Sequence, residues 1–337
     1  MFEASEKKLE IVVANEFGSL RTLPDDFKAK LLTLAGAEIL SHVHNDCIDA
    51  YVLSESSLFI WDNKLLLLTC GQSTLIESAL YALGVISTDH IISFKYQRKS
   101  ELFAALQTTT FAEDAKLLAQ QLPGRSLTLG DKPEQQHFMF YYTHRDLDTT
   151  LVPLPELTPQ EHLISELMLY QLDSDSAARF MALKGQGKTL TAAKQRRLLN
   201  IGELLVGFKF DDYAFSPCGY SLNAISGSYY LTLHLTPQSS GSYLSIETNL
   251  DNLTIVFGIF TRLHHQFSPA RCDLVLSGHG AFTSDASQYL ATTLNLCDSK
   301  HGSDVNIVDT SLNELDNHTE SPEQRYTIHL RQFCRRQ

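Results

Sequence analysis

Nothing in the chain is long and apolar enough to cross a bilayer as a helix; apolar runs such as that within Lys64–Cys70 fall far short. The opening residues Met1–Lys8 carry mixed charge and no apolar core, so a secretory signal is not expected. Together these readings place the protein in the cytoplasm, with no membrane partner. Basic residues are also in short supply: 27 Lys and Arg against 39 Asp and Glu give a formal net charge of -12. That argues against nucleic acid as a partner, because phosphate binding needs a basic surface. It suits a cationic small substrate. No two of the six cysteines (Cys47, Cys70, Cys218, Cys272, Cys297, Cys334) form a C-x-x-C pair, which speaks against a zinc site or a disulfide framework. The histidines His42, His44, His264 and His265 have no carboxylate or cysteine at ligand spacing, and no metal is expected. Gly185–Lys188 is too short for a phosphate loop. Arg196 and Arg197 read as a solvated helix face.

What is present is ordinary globular material: 337 residues, 43% hydrophobic and 20% charged, enough for a large core. Strand-like runs occur at Leu9–Ala14, Ala50–Leu53, Ser57–Ile60, Leu65–Leu68, Ile91–Tyr96 and Phe138–Tyr142, with helices over Asp25–Leu34 and Thr74–Leu83. The stretch Thr158–Leu205 reads as mostly helical. The second half then repeats the logic of the first. It has strands near Phe208 and at Tyr229–Leu235 and Tyr243–Glu247, then a helix over Leu253–His264. Further strands follow at Asp273–Leu276 and Tyr326–Phe333, and the polar stretch 298–323 reads as a loop. Two β-rich halves with helices suggest two antiparallel sheets packed face to face, helices outside.

Three segments carry candidate chemistry. In Tyr51–Phe59, a glutamate precedes two serines between strands. This is either a polar turn or a strained serine able to attack its own backbone carbonyl. The second outcome would shift the acyl group to oxygen and, after β-elimination and hydrolysis, leave a pyruvoyl group; it needs a base and a stabiliser for the oxyanion. Pro217–Tyr220 marks a turn that would position Ser221. In Tyr229–Pro237, alternation puts Thr232, His234 and Thr236 on one face. Cys70, ending an apolar run before Gly71, is by default a buried core thiol.

Leu53–Ser57, Leu68–Gly71, Pro217–Ser221 and His234–Pro237 resemble, in order, the motifs of the eukaryotic-type S-adenosylmethionine decarboxylase family. Phe2–Glu10, Ser93–Lys99, Ser245–Asn249 and the final strand add further matches. The resemblance implies a self-processing, pyruvoyl-dependent carboxy-lyase whose product feeds spermidine synthesis. Its fold would be α+β: one four-layer αββα sandwich over residues 1–337, with an internal two-fold repeat. It further implies cleavage between Glu55 and Ser56, with Ser56 becoming the covalent pyruvoyl cofactor and the cleaved small chain staying bound. His234 would be the base and Ser221 its assistant in processing, Cys70 the proton donor in turnover, and Glu6 and Glu3 active-site acids. Phe2 and Phe215 would stack on the adenine of S-adenosylmethionine, beside Glu55. A homodimer is compatible with the family.

Two departures stand out. Gln238 occupies the place of a glutamate that contacts the substrate ribose in the family; an amide still hydrogen-bonds hydroxyls. Putrescine-activated members have an acidic cluster with a lysine, whereas here Leu68 replaces the lysine and His162 one acid, while Glu10, Glu166 and Glu247 remain. Insensitivity to putrescine is therefore expected. The alternatives are the same chemistry on another amino acid, or an inactive regulatory paralogue; the latter is disfavoured because Ser56, Cys70 and His234 are all present.

Overall fold

The computed structural model describes residues 6–72, 75–130, 132–143, 163–181, 190–238, 241–279 and 326–334. The chain divides into two compact units, Met1–Pro155 and Glu156–Gln337. The polar stretch 298–323 and Gly185–Lys188 lie outside the described residues, as do Phe2, Glu3 and His162.

The first unit contains β1 (Lys7–Val13), α1 (Asp25–Ala35), β2 (Ile39–His44), β3 (Asp49–Leu53), β4 (Ser56–Ile60), β5 (Lys64–Thr69), α2 (Leu75–Val85), β6 (Ile91–Lys99), α3 (Phe111–Ala119), β7 (Arg125–Leu129) and β8 (His137–Thr143). Its strands form one antiparallel sheet in the order β2-β3-β4-β5-β1-β6-β8-β7. Alternation in β1 sends Leu9, Ile11 and Val13 to one face and Lys8 and Glu10 to the other. The apolar face joins Leu58, Leu65, Leu67, Phe94 and Phe140 with Leu31 of α1, Ala79 of α2 and Leu118 of α3 in a single buried cluster. Helix α1 follows Pro24, has Asp25 and Asp26 in its first turn and stops at Gly36, whose φ of 69° is left-handed. Helix α3 is opened by a capping box between Thr110 and Glu113.

The second unit contains β9 (Leu163–Tyr170), α4 (Ser174–Ala178), α5 (Ala192–Leu199), β10 (Lys209–Ala214), β11 (Tyr220–Ser226), β12 (Tyr229–Thr236), β13 (Tyr243–Thr248), α6 (Leu253–Phe267), β14 (Arg271–His279) and β15 (Tyr326–Cys334). The antiparallel order is β10-β11-β12-β13-β9-β14-β15. Leu167, Leu222, Leu233, Ile246 and Leu274 cluster with Val256, Phe260 and Leu263 of α6 and Leu199 of α5.

The internal repeat is visible in this connectivity. In each unit the first strand leads through helix into a four-strand meander, and a second helix then returns the chain. The next strand pairs with the far side of the first strand, so β1 lies between β5 and β6 as β9 lies between β13 and β14. The α+β class with two antiparallel sheets is as expected.

Two sequence readings need correction. Thr158–Leu205 is not mostly helical: its apolar core, Leu163–Tyr170, is the strand β9. Seven of its eight residues are buried, so period-two alternation is lost and a central strand looks like a buried helix. Nor is Arg196 merely solvated: it pairs with Asp212 at 3.5 Å and lies over the Phe210 ring.

Candidate active site

In the first unit, the turn Ser54–Glu55 joins β3 to β4, with Leu53 opposite Ser56. Ser54 is tied to Glu38: its N–H donates to the Glu38 carbonyl at 2.9 Å, and its hydroxyl accepts from the Glu38 N–H at 3.0 Å. The next residues must turn sharply into β4. Ser56 takes a φ of 145°, a region that only glycine visits freely, and is only 4% exposed. Such a backbone stores about 1–3 kcal/mol, held in place by the surrounding ladder.

The carbonyl immediately before this strained serine is doubly held. Glu55 O accepts from the Cys70 N–H at 3.0 Å and from the Cys70 S–H at 3.2 Å. Cys70 is therefore not a buried core thiol. It is half-buried at the end of β5, where Ser56 pairs with Thr69, and it aims two donors at one backbone oxygen. Donors on the oxygen polarise the carbonyl and would share the negative charge of an addition at its carbon. Burial pushes the Glu55 carboxyl above its ordinary value. Glu6, also buried, pairs with Lys99 at 3.0 Å.

In the second unit, β11 and β12 bring Ser221 opposite His234 and Asn223 opposite Thr232. The Ser221 hydroxyl lies 2.8 Å from His234 Nδ1, and Thr232 Oγ1 lies 2.9 Å from Nε2. With the Asn223 amide oxygen towards it, Thr232 donates to that oxygen at 2.9 Å and so accepts from Nε2–H. The imidazole then offers a lone pair at Nδ1, to which Ser221 donates. Phe215 sits in the turn between β10 and β11, edge-on to Tyr213 with ring centroids 5.0 Å apart. Its N–H donates to Gly219 O at 2.9 Å. The φ of 123° at Gly219, and a Cβ that would come within 3.3 Å of Phe215, favour glycine there. Gln238 is half-buried just beyond β12.

The structure thus brings Glu55, Ser56 and Cys70 together, and separately Ser221 and His234. Glu10, the acid nearest the middle of β1, is bonded to Lys64 at 2.9 Å and to Lys95 at 2.7 Å. Burial opposes its ionisation, yet the two ammonium groups hold its carboxyl far below the ordinary range. Glu166 and Glu247 face each other across β9 and β13, and Glu247 accepts from the Tyr230 hydroxyl. Sequence reasoning missed Asn223 and the lysines at 64, 95 and 99. Lys95 and Lys99 share the alternation phase of β6, and Lys64 opens β5, so strand register is the signal that could have found them. Among the described residues, no group of three or more His, Cys, Asp or Glu could hold a metal. No described helix is long and apolar enough to cross a membrane.

A family model for adenosylmethionine decarboxylase matches residues 1–326. The chain is 30% identical over 304 residues to the S-adenosylmethionine decarboxylase proenzyme of Oryza sativa subsp. japonica, covering 83% of this chain and 73% of that one. The proenzyme of the same name from Leishmania donovani is 29% identical over 276 residues, 77% of this chain and 70% of its own. That from Caenorhabditis elegans is 31% identical over 267 residues, 74% and 69% respectively. The fold resembles the solved Trypanosoma brucei AdoMetDC-delta26 monomer, with a TM-score of 0.56 and 18% identity, over 83% of this chain and 99% of that one. The chain therefore belongs to the adenosylmethionine decarboxylase family.

Proposed function

We propose that this chain cuts itself between Glu55 and Ser56, and that the resulting pyruvoyl enzyme decarboxylates S-adenosylmethionine to supply spermidine synthesis. The observation that carries the reading is Ser56 at φ 145° behind a carbonyl that accepts two hydrogen bonds from Cys70. Strain raises the ground state at the bond to be cut, and the donors lower the barrier to addition at its carbon.

Ser56 Oγ adds to the Glu55 carbonyl carbon, and the C–N bond breaks to leave an ester. The oxygen carries the transient charge towards the Cys70 donors. A base then removes the Cα proton of residue 56, expelling Glu55 as a carboxylate, and the dehydroalanine left behind hydrolyses with loss of ammonia. His234, which in the tautomer described carries its lone pair at Nδ1, fits the base, and Ser221 the group that orients it. The residues present therefore suit the cofactor. Once formed, its ketone supplies an electron sink for loss of carbon dioxide. Cys70 then provides a proton from its thiol, while Glu6 and Glu3 act as carboxylates facing a cationic substrate. Phe2 and Phe215 stack on the adenine, Glu55 lies beside the substrate, and the Gln238 amide bonds the ribose hydroxyls.

The test is release of labelled carbon dioxide from carboxyl-labelled S-adenosylmethionine. Activity in the wild type and none in Ser56→Ala is expected; labelled carbon dioxide from another amino acid instead would show the substrate assignment to be wrong. Because Glu10 already holds two ammonium groups of its own chain, putrescine is expected to leave the rate unchanged. A several-fold stimulation would contradict that.

A further inference from the structure

The turn that presents Cys70 is itself gripped from below. Gly71, at φ 72°, follows Cys70, and its carbonyl accepts from Lys7 Nζ at 3.4 Å and from Gln107 Nε2 at 3.3 Å. The same lysine donates to Gln107 Oε1 at 2.5 Å. The three groups close a ring on one backbone oxygen, and the ring ties the first strand of the unit to the segment after β6. Lys7 is only 2% exposed, an unusual place for a lysine. It lies in the cross-strand row Ser56–Thr69–Lys7–Arg98, two strands from the strained serine.

Gln107 is fixed in turn. Arg98 donates to Glu101, to the Thr109 carbonyl at 2.8 Å and to Asp114 at 2.6 Å, which pins the loop that carries Gln107. A buried cation kept where an apolar side chain would pack more cheaply needs a reason. The described elements offer one: its bonds run to the residue after Cys70.

Resting on the self-cleavage reading above, the geometry points to Lys7 and Gln107 as positioning residues that hold the Cys70–Gly71 turn so that both Cys70 donors meet the Glu55 carbonyl. Neither touches the bond that breaks. They act through the turn, as a displacement of about 1 Å in such donors costs on the order of a hundredfold in rate. Loss of the ammonium proton leaves a neutral amine, a weaker donor to both oxygens, so the grip of the clamp depends on pH. Burial, together with the Arg98 charge on β6, lowers the Lys7 pKa to about 8, against the opposing influence of Glu101, Asp114 on α3 and Cys70 just past β5. Lys7 is thus charged below pH 8 and loses its proton above it, while a guanidinium there would stay charged.

The experiment follows conversion of the newly translated full-length chain into its two fragments by denaturing mass measurement, with no substrate present. Lys7→Met and Gln107→Ala are each expected to slow cleavage by about tenfold or more at pH 7, while folding with cooperative thermal transitions like that of the wild type. Raising the pH from 7 to 9 is expected to slow the wild type more than Lys7→Arg. Wild-type cleavage rates in both Lys7→Met and Gln107→Ala would overturn the proposal, as would a pH profile identical in wild type and Lys7→Arg. If the wild-type chain stays whole, the self-cleavage reading fails first; if it is cut and the variants are cut equally fast, only the clamp fails.

Discussion

At Ser56 a left-handed backbone is imposed on a residue with a side chain, and the hairpin between β11 and β12 shows the contrast. There the positive φ of 55° falls on Gly227, where it strains nothing. The first unit keeps a serine in the strained place, and the ladder to Leu53 and Thr69 holds it there. Ser56→Gly and Ser56→Ala are both expected to remain uncut. Ser56→Gly should be the more stable of the two by about 1 kcal/mol in urea unfolding, because only glycine relieves the backbone. Equal stabilities would mean that no strain is stored. For the second cluster, His234→Ala and Ser221→Ala are each expected to slow cleavage by about a hundredfold or more, with the double variant little slower than His234→Ala. Additive losses would show that the two act apart.

At the scale of elements, buried charge decides more than its position in the sequence suggests. Glu10 bridges β5 and β6 through Lys64 and Lys95, so Glu10→Gln removes the carboxylate that two half-buried ammonium groups share. A loss of about 3 kcal/mol at pH 7 is expected. Since the folded carboxyl titrates below its ordinary value of 4.5, its contribution is present above that pH and lost as the pH falls below it. The stability gap between wild type and Glu10→Gln should therefore narrow in acid. A gap independent of pH would place the effect in packing. Within β9, Leu167→Ala should cost roughly 3 kcal/mol, as expected for a cavity in a fully buried central strand.

These elements also show what the sequence could carry. Strands with one polar face, such as β1 and β6, were legible from alternation, and α1 and α6 from their apolar stripes and caps. Strand β9 was not, because both its faces are buried. The site showed the same division. The segments bearing Ser56, Cys70, Ser221 and His234 could be read as motifs, but the two hydrogen bonds from Cys70 to Glu55 O and the bond from Thr232 to Asn223 depend on register between strands. Lys7 was invisible for another reason: a lysine beside a glutamate at a strand start looks like solvated surface until the strand is seen to be central.

Across the whole molecule, one connectivity is used twice with different side chains at comparable hairpins. One unit holds the strained serine and the carbonyl bonded by Cys70; the other holds the serine–histidine pair. Every role proposed for these residues rests on the chain cutting its own backbone at one place. Intact mass of the purified protein under denaturing conditions tests it most directly. Two fragments are expected, Met1–Glu55 and a larger one beginning at residue 56 with its N-terminus blocked as pyruvoyl. A single uncut chain ending at Gln337 would contradict it.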